Sequence, residues 1–159
     1  MQEVADNLYV GDDRDCRSVS TDWAVVHACK HPCHQHAVGY RGNLSQDHPE
    51  YLVAPRETDL FLNIVDMDRQ LSHEYTEPIV SSALDFIGEH ITSRKVLVHC
   101  NQAQSRSPAI ALLYLSKRAG ELPDSSYGEA KQEFRTVYPR YQPGRGVEAY
   151  LQSYWDQLE

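Results

Sequence analysis

The stretch His99-Cys100-Asn101-Gln102-Ala103-Gln104-Ser105-Arg106-Ser107-Pro108 decides how this chain is read. Before it stands Lys95-Val96-Leu97-Val98-His99, an almost unbroken apolar run of the kind a parallel strand needs when both its faces are covered. After it comes an apolar helix over residues 108–119, with Pro108 in its first turn and Gly120 where a left-handed terminator belongs. A loop between such a strand and such a helix turns its N–H groups inward at the positive end of the helix, which makes a concave anion site before any side chain is counted. Asn101, Gln102, Ala103, Gln104 and Ser105 are the expected phosphate-binding amides. Arg106 adds a planar fork that matches two phosphate oxygens in a way that Lys does not.

Cys100 falls at the floor of that cup, where the amides, the helix dipole and Arg106 favour its thiolate, the nucleophilic form. A lone cysteine after a strand is more often a small inert hydrophobe. Here the strand before, the helix after, Arg at the sixth position and a Ser107 hydroxyl able to donate to a departing sulfur together favour the catalytic reading.

Around this loop, residues 7–11, 23–27 and 60–65 read as short strands. A helix begins with Ser72 as its candidate N-cap, and Val80, Leu84, Ile87 and Ile91 recur on one of its faces. Asp124 or Ser125 can cap another helix running toward Tyr138, while Val147, Tyr150, Leu151, Tyr154 and Leu158 mark a terminal one. Strands alternating with helices predict an α/β fold, with a central, mostly parallel, twisted sheet flanked by helices in a single domain over residues 1–159. Residues 30–55, rich in His, Pro, Gly and Asn, read as an irregular excursion of the sort that often covers a site.

The chain has 159 residues, with 15 Lys and Arg against 23 Asp and Glu, a net charge of −8. That balance argues against nucleic acid as a partner, because an extended phosphate backbone calls for a cationic surface. The longest apolar run, residues 109–115, is far short of the roughly 20 residues that cross a membrane. Residues 1–6 are polar and acidic, unlike a secretion signal, and four cysteines are too sparse for a disulfide framework. A cytoplasmic monomer with free thiols is the expectation.

The order His99-Cys100, five residues, Arg106-Ser107-Pro108 resembles the signature of the cysteine-dependent protein tyrosine phosphatase superfamily, in particular its small dual-specificity phosphatase-like branch. Asn7-Leu8-Tyr9-Val10-Gly11 is similar to that branch's opening strand, and Leu62-Asn63-Ile64-Val65-Asp66-Met67-Asp68 to the strand leading into its general-acid loop. The resemblance implies a phosphomonoester hydrolase that works through a cysteinyl-phosphate, with Cys100 as nucleophile and Arg106 and Ser107 beside it. Such chemistry needs an acid for the leaving oxygen. Counting from the strand, Asp68 falls where the family's acid usually lies, four residues past Ile64, with Asp66 as the alternative, and the resemblance implies that His99 orients the loop and transfers no proton. Ala103 departs from the family, which usually has Gly there; if the backbone turns left-handed at that residue, the methyl costs about 1 to 2 kcal/mol.

His27, Cys29, His31, Cys33, His34 and His36 gather metal-capable side chains, but no second ligand couple follows at the usual separation. The alternation of His27 and Cys29 along a strand accounts for that pair more simply, and no metal or cofactor is expected. The loop's uncharged residues suit a phosphorylated protein or a small phosphomonoester rather than a multiply charged inositide. Phosphotyrosine is the first candidate, with phosphoserine and phosphothreonine admitted if the cleft is shallow. Lys30, His31, His34, His36 and Arg41 would rim the site if the excursion folds over it. Two other readings are a catalytically weak module that recognises phosphorylated partners, and a rhodanese-like or arsenate-reducing enzyme, which would need no acid loop.

Overall fold

Alternation along the strands determines which face of the sheet meets the helices. In the computed structural model, which describes residues 1–159, six strands form one sheet: β1 (Gln2–Ala5), β2 (Leu8–Gly11), β3 (Ala24–His27), β4 (Val53–Pro55), β5 (Asp59–Leu62) and β6 (Val96–His99). Their spatial order is β1-β2-β6-β3-β5-β4, with the inner four parallel and both edge strands antiparallel to their neighbours. The helices are α1 (Gln35–Val38), α2 (His73–His90), α3 (Arg106–Lys117), α4 (Tyr127–Val137) and α5 (Arg145–Tyr154). This is the expected α/β architecture, with a mostly parallel sheet and flanking helices.

Leu8, Val10, Ala24, Val26, Leu60, Leu62, Val96 and Val98 point to one face and join a single core cluster with the apolar sides of the helices. There α3 packs on β6 and β2, α2 packs on β3 and β5, and α4 contacts α3 and α5. Burial of each such Leu or Val contributes about 1.5–3 kcal/mol. The intervening residues face the other way, as the two-residue period of a strand requires. His27 and His99 are direct register partners on that second face. Val25 and Leu97 beside them are also buried, so β3 and β6 are covered on both faces and read as continuous apolar runs.

Departures from the sequence reading include two edge strands it did not mark and several element ends. β1 and β4 are edge strands with mostly exposed or half-buried residues, too short to show a period. β5 ends at Leu62, three residues before the expected Val65, so the following loop begins early. The fourth helix is capped by Ser126, whose hydroxyl accepts from the Glu129 amide, in place of Asp124 or Ser125. Ser72 occupies the N-cap of α2 without a capping hydrogen bond, and Gly120 is left-handed at φ 68°, as its position after α3 requires. No helix is long and apolar enough to cross a membrane.

Candidate active site

β6 is a central strand, and its C-terminal end opens onto the crevice where parallel sheets take their ligands. His99 and Cys100 are consecutive, so they turn to opposite faces: His99 toward His27, Cys100 into the core side beneath α3. Cys100 is buried, with its Sγ 3.2 Å from the hydroxyl of Ser107 in the first turn of α3.

The loop between them is braced from outside. The Gln102 carbonyl accepts from Arg140 Nη2 at 3.3 Å, the Ala103 carbonyl from the Tyr138 hydroxyl at 2.6 Å, and the Gln104 carbonyl from the Gln142 amide at 2.8 Å. Burial pushes the Tyr138 hydroxyl above the usual tyrosine range, which keeps it a donor. The Ser105 hydroxyl in turn accepts from the Gly144 amide at 2.9 Å. Because a peptide unit is planar and trans, a carbonyl held outward sends the next N–H inward. None of the N–H groups from Asn101 to Ser105 donates to any group of the chain. Ala103 adopts φ 60°, so the loop does turn left-handed there, and it does so while fully buried.

Arg106 closes the loop at the start of α3. Its Nη1 donates to the Ile64 carbonyl at 3.1 Å and its Nη2 to Asn101 Oδ1 at 2.6 Å, while its Nε is buried without a partner. Each terminal nitrogen carries two hydrogens, so Nε and the second hydrogen of Nη2 remain to grip an oxyanion. The sequence showed the fork; it did not show that Asn101 would also be bound by it. The Asn101 amide nitrogen then donates to the His31 carbonyl at 3.2 Å, which links Arg106 to the start of the excursion.

A cleft of about 560 Å³ opens over this floor, lined by Asp66, Cys100, Asn101, Gln102, Gln104, Ser105, Arg106, Gln142 and Gly144. Asp66, and not Asp68, borders it. The early end of β5 is the cause: Ile64 is already bound to Arg106, and the Met67 carbonyl accepts from the Gly146 amide at 2.8 Å, which turns the Asp66 side chain toward Gly144. A Cβ at Gly144 would collide with Asp66 Oδ1, so glycine makes this approach available. Asp68 lies two residues further along the loop, outside the cleft lining.

Lys30, His31, His34, His36 and Arg41 contribute nothing to the cleft lining, so the expected cationic rim is not formed. His34 is instead buried, bonded to the Tyr40 hydroxyl at 2.7 Å and the Glu50 carbonyl at 2.8 Å, and burial lowers its pKa. The bracing segment 138–144 carried no signal in the sequence, because its contacts run through backbone groups and one tyrosine hydroxyl.

No protein-family model matches the chain. It is 29% identical over 139 residues to dual specificity protein phosphatase 16 of Homo sapiens, a match that covers 87% of this chain and 19% of that protein. The chain therefore spans about a fifth of the length of that relative. The crystal structure of DUSP15 superposes with a TM-score of 0.66 at 17% identity, covering 98% of this chain and 86% of that one. Tk-PTP in the active form gives 0.64 at 20% identity, with 99% and 97% covered. The human tyrosine phosphatase-like serine/threonine/tyrosine-interacting protein gives 0.63 at 20% identity, with 99% and 96% covered. These structural likenesses establish the fold.

Proposed function

Starting from a chain that resembles the dual-specificity phosphatase-like branch of the cysteine-dependent tyrosine phosphatases in sequence and fold, we propose that it hydrolyses phosphomonoesters as one catalytic unit over residues 1–159. Phosphorylated proteins are its substrates, phosphotyrosine first and phosphoserine or phosphothreonine as well. The observation that carries this reading is the set of unpartnered N–H groups from Asn101 to Ser105, with the unpartnered Nε of Arg106, ringed around Cys100. A tetrahedral oxyanion suits a donor set of that kind, and Cys100 lines the same cleft.

The thiolate of Cys100 forms the S–P bond as the P–O bond to the substrate breaks, and Asp66 gives its proton to the leaving oxygen. The resulting Asp66 carboxylate takes a proton from water, whose oxygen then attacks phosphorus. The S–P bond breaks, and inorganic phosphate leaves a thiolate that the Ser107 hydroxyl stabilises by donating to it. Asp66 replaces Asp68 in this role because it borders the cleft. The uncharged loop side chains supply no counter-charge beyond Arg106, which suits a single phosphate.

Hydrolysis of p-nitrophenyl phosphate at mildly acidic to neutral pH tests the reading. The parent protein is expected to turn over and Cys100→Ser to be inactive while still retaining a phosphotyrosine peptide. Turnover that survives in Cys100→Ser would overturn the mechanism. Peptide binding without turnover in the parent would make the chain a phosphate-recognition module.

A further inference from the structure

On the face of the sheet away from Cys100, four potential ligands converge from four separate elements. Cys16 comes from the tight turn Asp15–Arg17 after β2, His27 from the end of β3, Cys33 from the helical turn Lys30–His34, and His99 from the end of β6. One ligand atom from each lies within 4.8 Å of all the others. His99 Nε2 is 2.7 Å from His27 Nδ1 and 3.8 Å from Cys33 Sγ. A tetrahedral zinc ion, with bonds of about 2.0–2.1 Å to nitrogen and 2.3 Å to sulfur, sets its ligands about 3.3–3.8 Å apart, so adjustments of about 1 Å close the site.

The outer contacts are also those a metal site uses. The other ring nitrogen of His27 meets Asp59 Oδ1 at 2.8 Å, and that of His99 meets the Cys100 carbonyl at 3.4 Å. Each imidazole is thereby held with its remaining nitrogen toward the other three ligands, which is the carboxylate- or carbonyl-oriented geometry of metal-bound histidine. Phe61 stacks on the His27 ring at 4.2 Å and fixes its plane. Both histidines are buried and both cysteines half-buried, and no cysteine is in a disulfide. Two thiolates and two neutral imidazoles balance the charge of a dication, and that balance lets the group remain in a largely buried place.

We propose that Cys16, His27, Cys33 and His99 form a closed, structural zinc site. Four protein ligands leave no position for water or substrate, so the ion would hold the fold and take no part in the reaction. It would pin the turn after β2 and the start of the excursion to the end of β6, one residue before Cys100. The second ligand couple that the sequence lacked is Cys16 with His99, supplied by the fold from the two flanks of the His/Cys-rich segment. This inference stands whether or not the chain turns over phosphate.

The full chain, reduced and freed of metal with a chelator, is titrated with zinc against a chromophoric competitor, and separately with cobalt. One equivalent of zinc is expected, with cobalt giving tetrahedral ligand-field bands and thiolate charge-transfer absorption. Cys16→Ser and Cys33→Ser are each expected to lose more zinc affinity than the roughly 10- to 100-fold that Asp59→Asn loses as an outer-shell change. Cys29→Ser is expected to bind as the parent does, and circular dichroism checks that each variant is folded. Absence of stoichiometric uptake by the reduced parent overturns the proposal, as does parent-like affinity in folded Cys16→Ser. A Cys16–Cys33 disulfide in the isolated protein, with no zinc uptake after reduction, overturns it as well.

Discussion

Cys100 and the Cys16–His27–Cys33–His99 cluster occupy opposite faces of the sheet at the end of β6, separated by a single peptide bond, and they are assembled in opposite ways. The cup around Cys100 is built from consecutive residues, and its inward donors have no partner in the chain. The cluster is built from residues up to 83 positions apart (99 − 16), and its histidines already have outer partners. An open set of donors beside a buried thiol suits a passing anion; a closed set of four ligands suits a resident cation. One strand end thus presents two thiol environments of contrary electrostatic sense, because the strand period sends His99 and Cys100 to different faces.

The sharpest way to break this comparison is to remove one thiol from each side. Cys100→Ser is expected to have no measurable turnover of p-nitrophenyl phosphate yet to take up the same equivalent of zinc as the parent. Cys33→Ser is expected to lose the zinc and keep measurable turnover. A single substitution that removed both properties would show the two faces to be one functional unit.

The next largest effect separates the two aspartates. With phenyl phosphate, whose leaving group needs its proton, Asp66→Asn is expected to lower kcat by about 10²- to 10⁴-fold. Asp68→Asn, exposed and outside the cleft, should change it little. The reverse order would return the acid to the position that counting along the strand had favoured.

This contrast also explains what could be read from the sequence. The loop 100–106, its strand and its helix were legible because local pattern and local chemistry coincide in one contiguous stretch. Which of the two aspartates borders the cleft was not, because it depends on where β5 stops, and strand ends are set by pairing with β3 and β4 and not by the apolar run of residues 60–65. The His/Cys-rich segment drew notice, but two of its members, Cys29 and His34, bond elsewhere, to His31 and to Tyr40 and Glu50. Its true neighbours, Cys16 and His99, become visible only when β2, β6 and β3 lie side by side. The outer bracing of the loop was equally hidden, since the carbonyls of residues 102–104 carry no side-chain signature.

That bracing gives a test of intermediate size. Tyr138→Phe removes the hydroxyl that the Ala103 carbonyl accepts and leaves that carbonyl buried without a partner. A loss of about 1–3 kcal/mol in unfolding free energy is expected, measured by urea denaturation. It should be accompanied by a lower affinity for inorganic phosphate, because the peptide that carries the next inward N–H is no longer held. Unchanged phosphate affinity would mean that the cup keeps its shape without outside support, as the closed cluster is expected to do.

The smallest effect concerns Ala103, the one non-glycine residue of the cup with a positive φ. Ala103 holds φ 60° with its methyl buried, a conformation that costs an L-residue about 1–2 kcal/mol. Ala103→Gly relieves that cost, but glycine gives up about 0.5–1 kcal/mol more backbone entropy on folding. The difference is a net stabilisation of up to about 1.5 kcal/mol, readable as a shift of the urea midpoint at constant slope. Because three outward hydrogen bonds already fix the loop's path, turnover should barely change. A marked gain in turnover with no gain in stability would instead mean that the methyl distorts the donor ring, and that the strain acts on the anion and not on the fold.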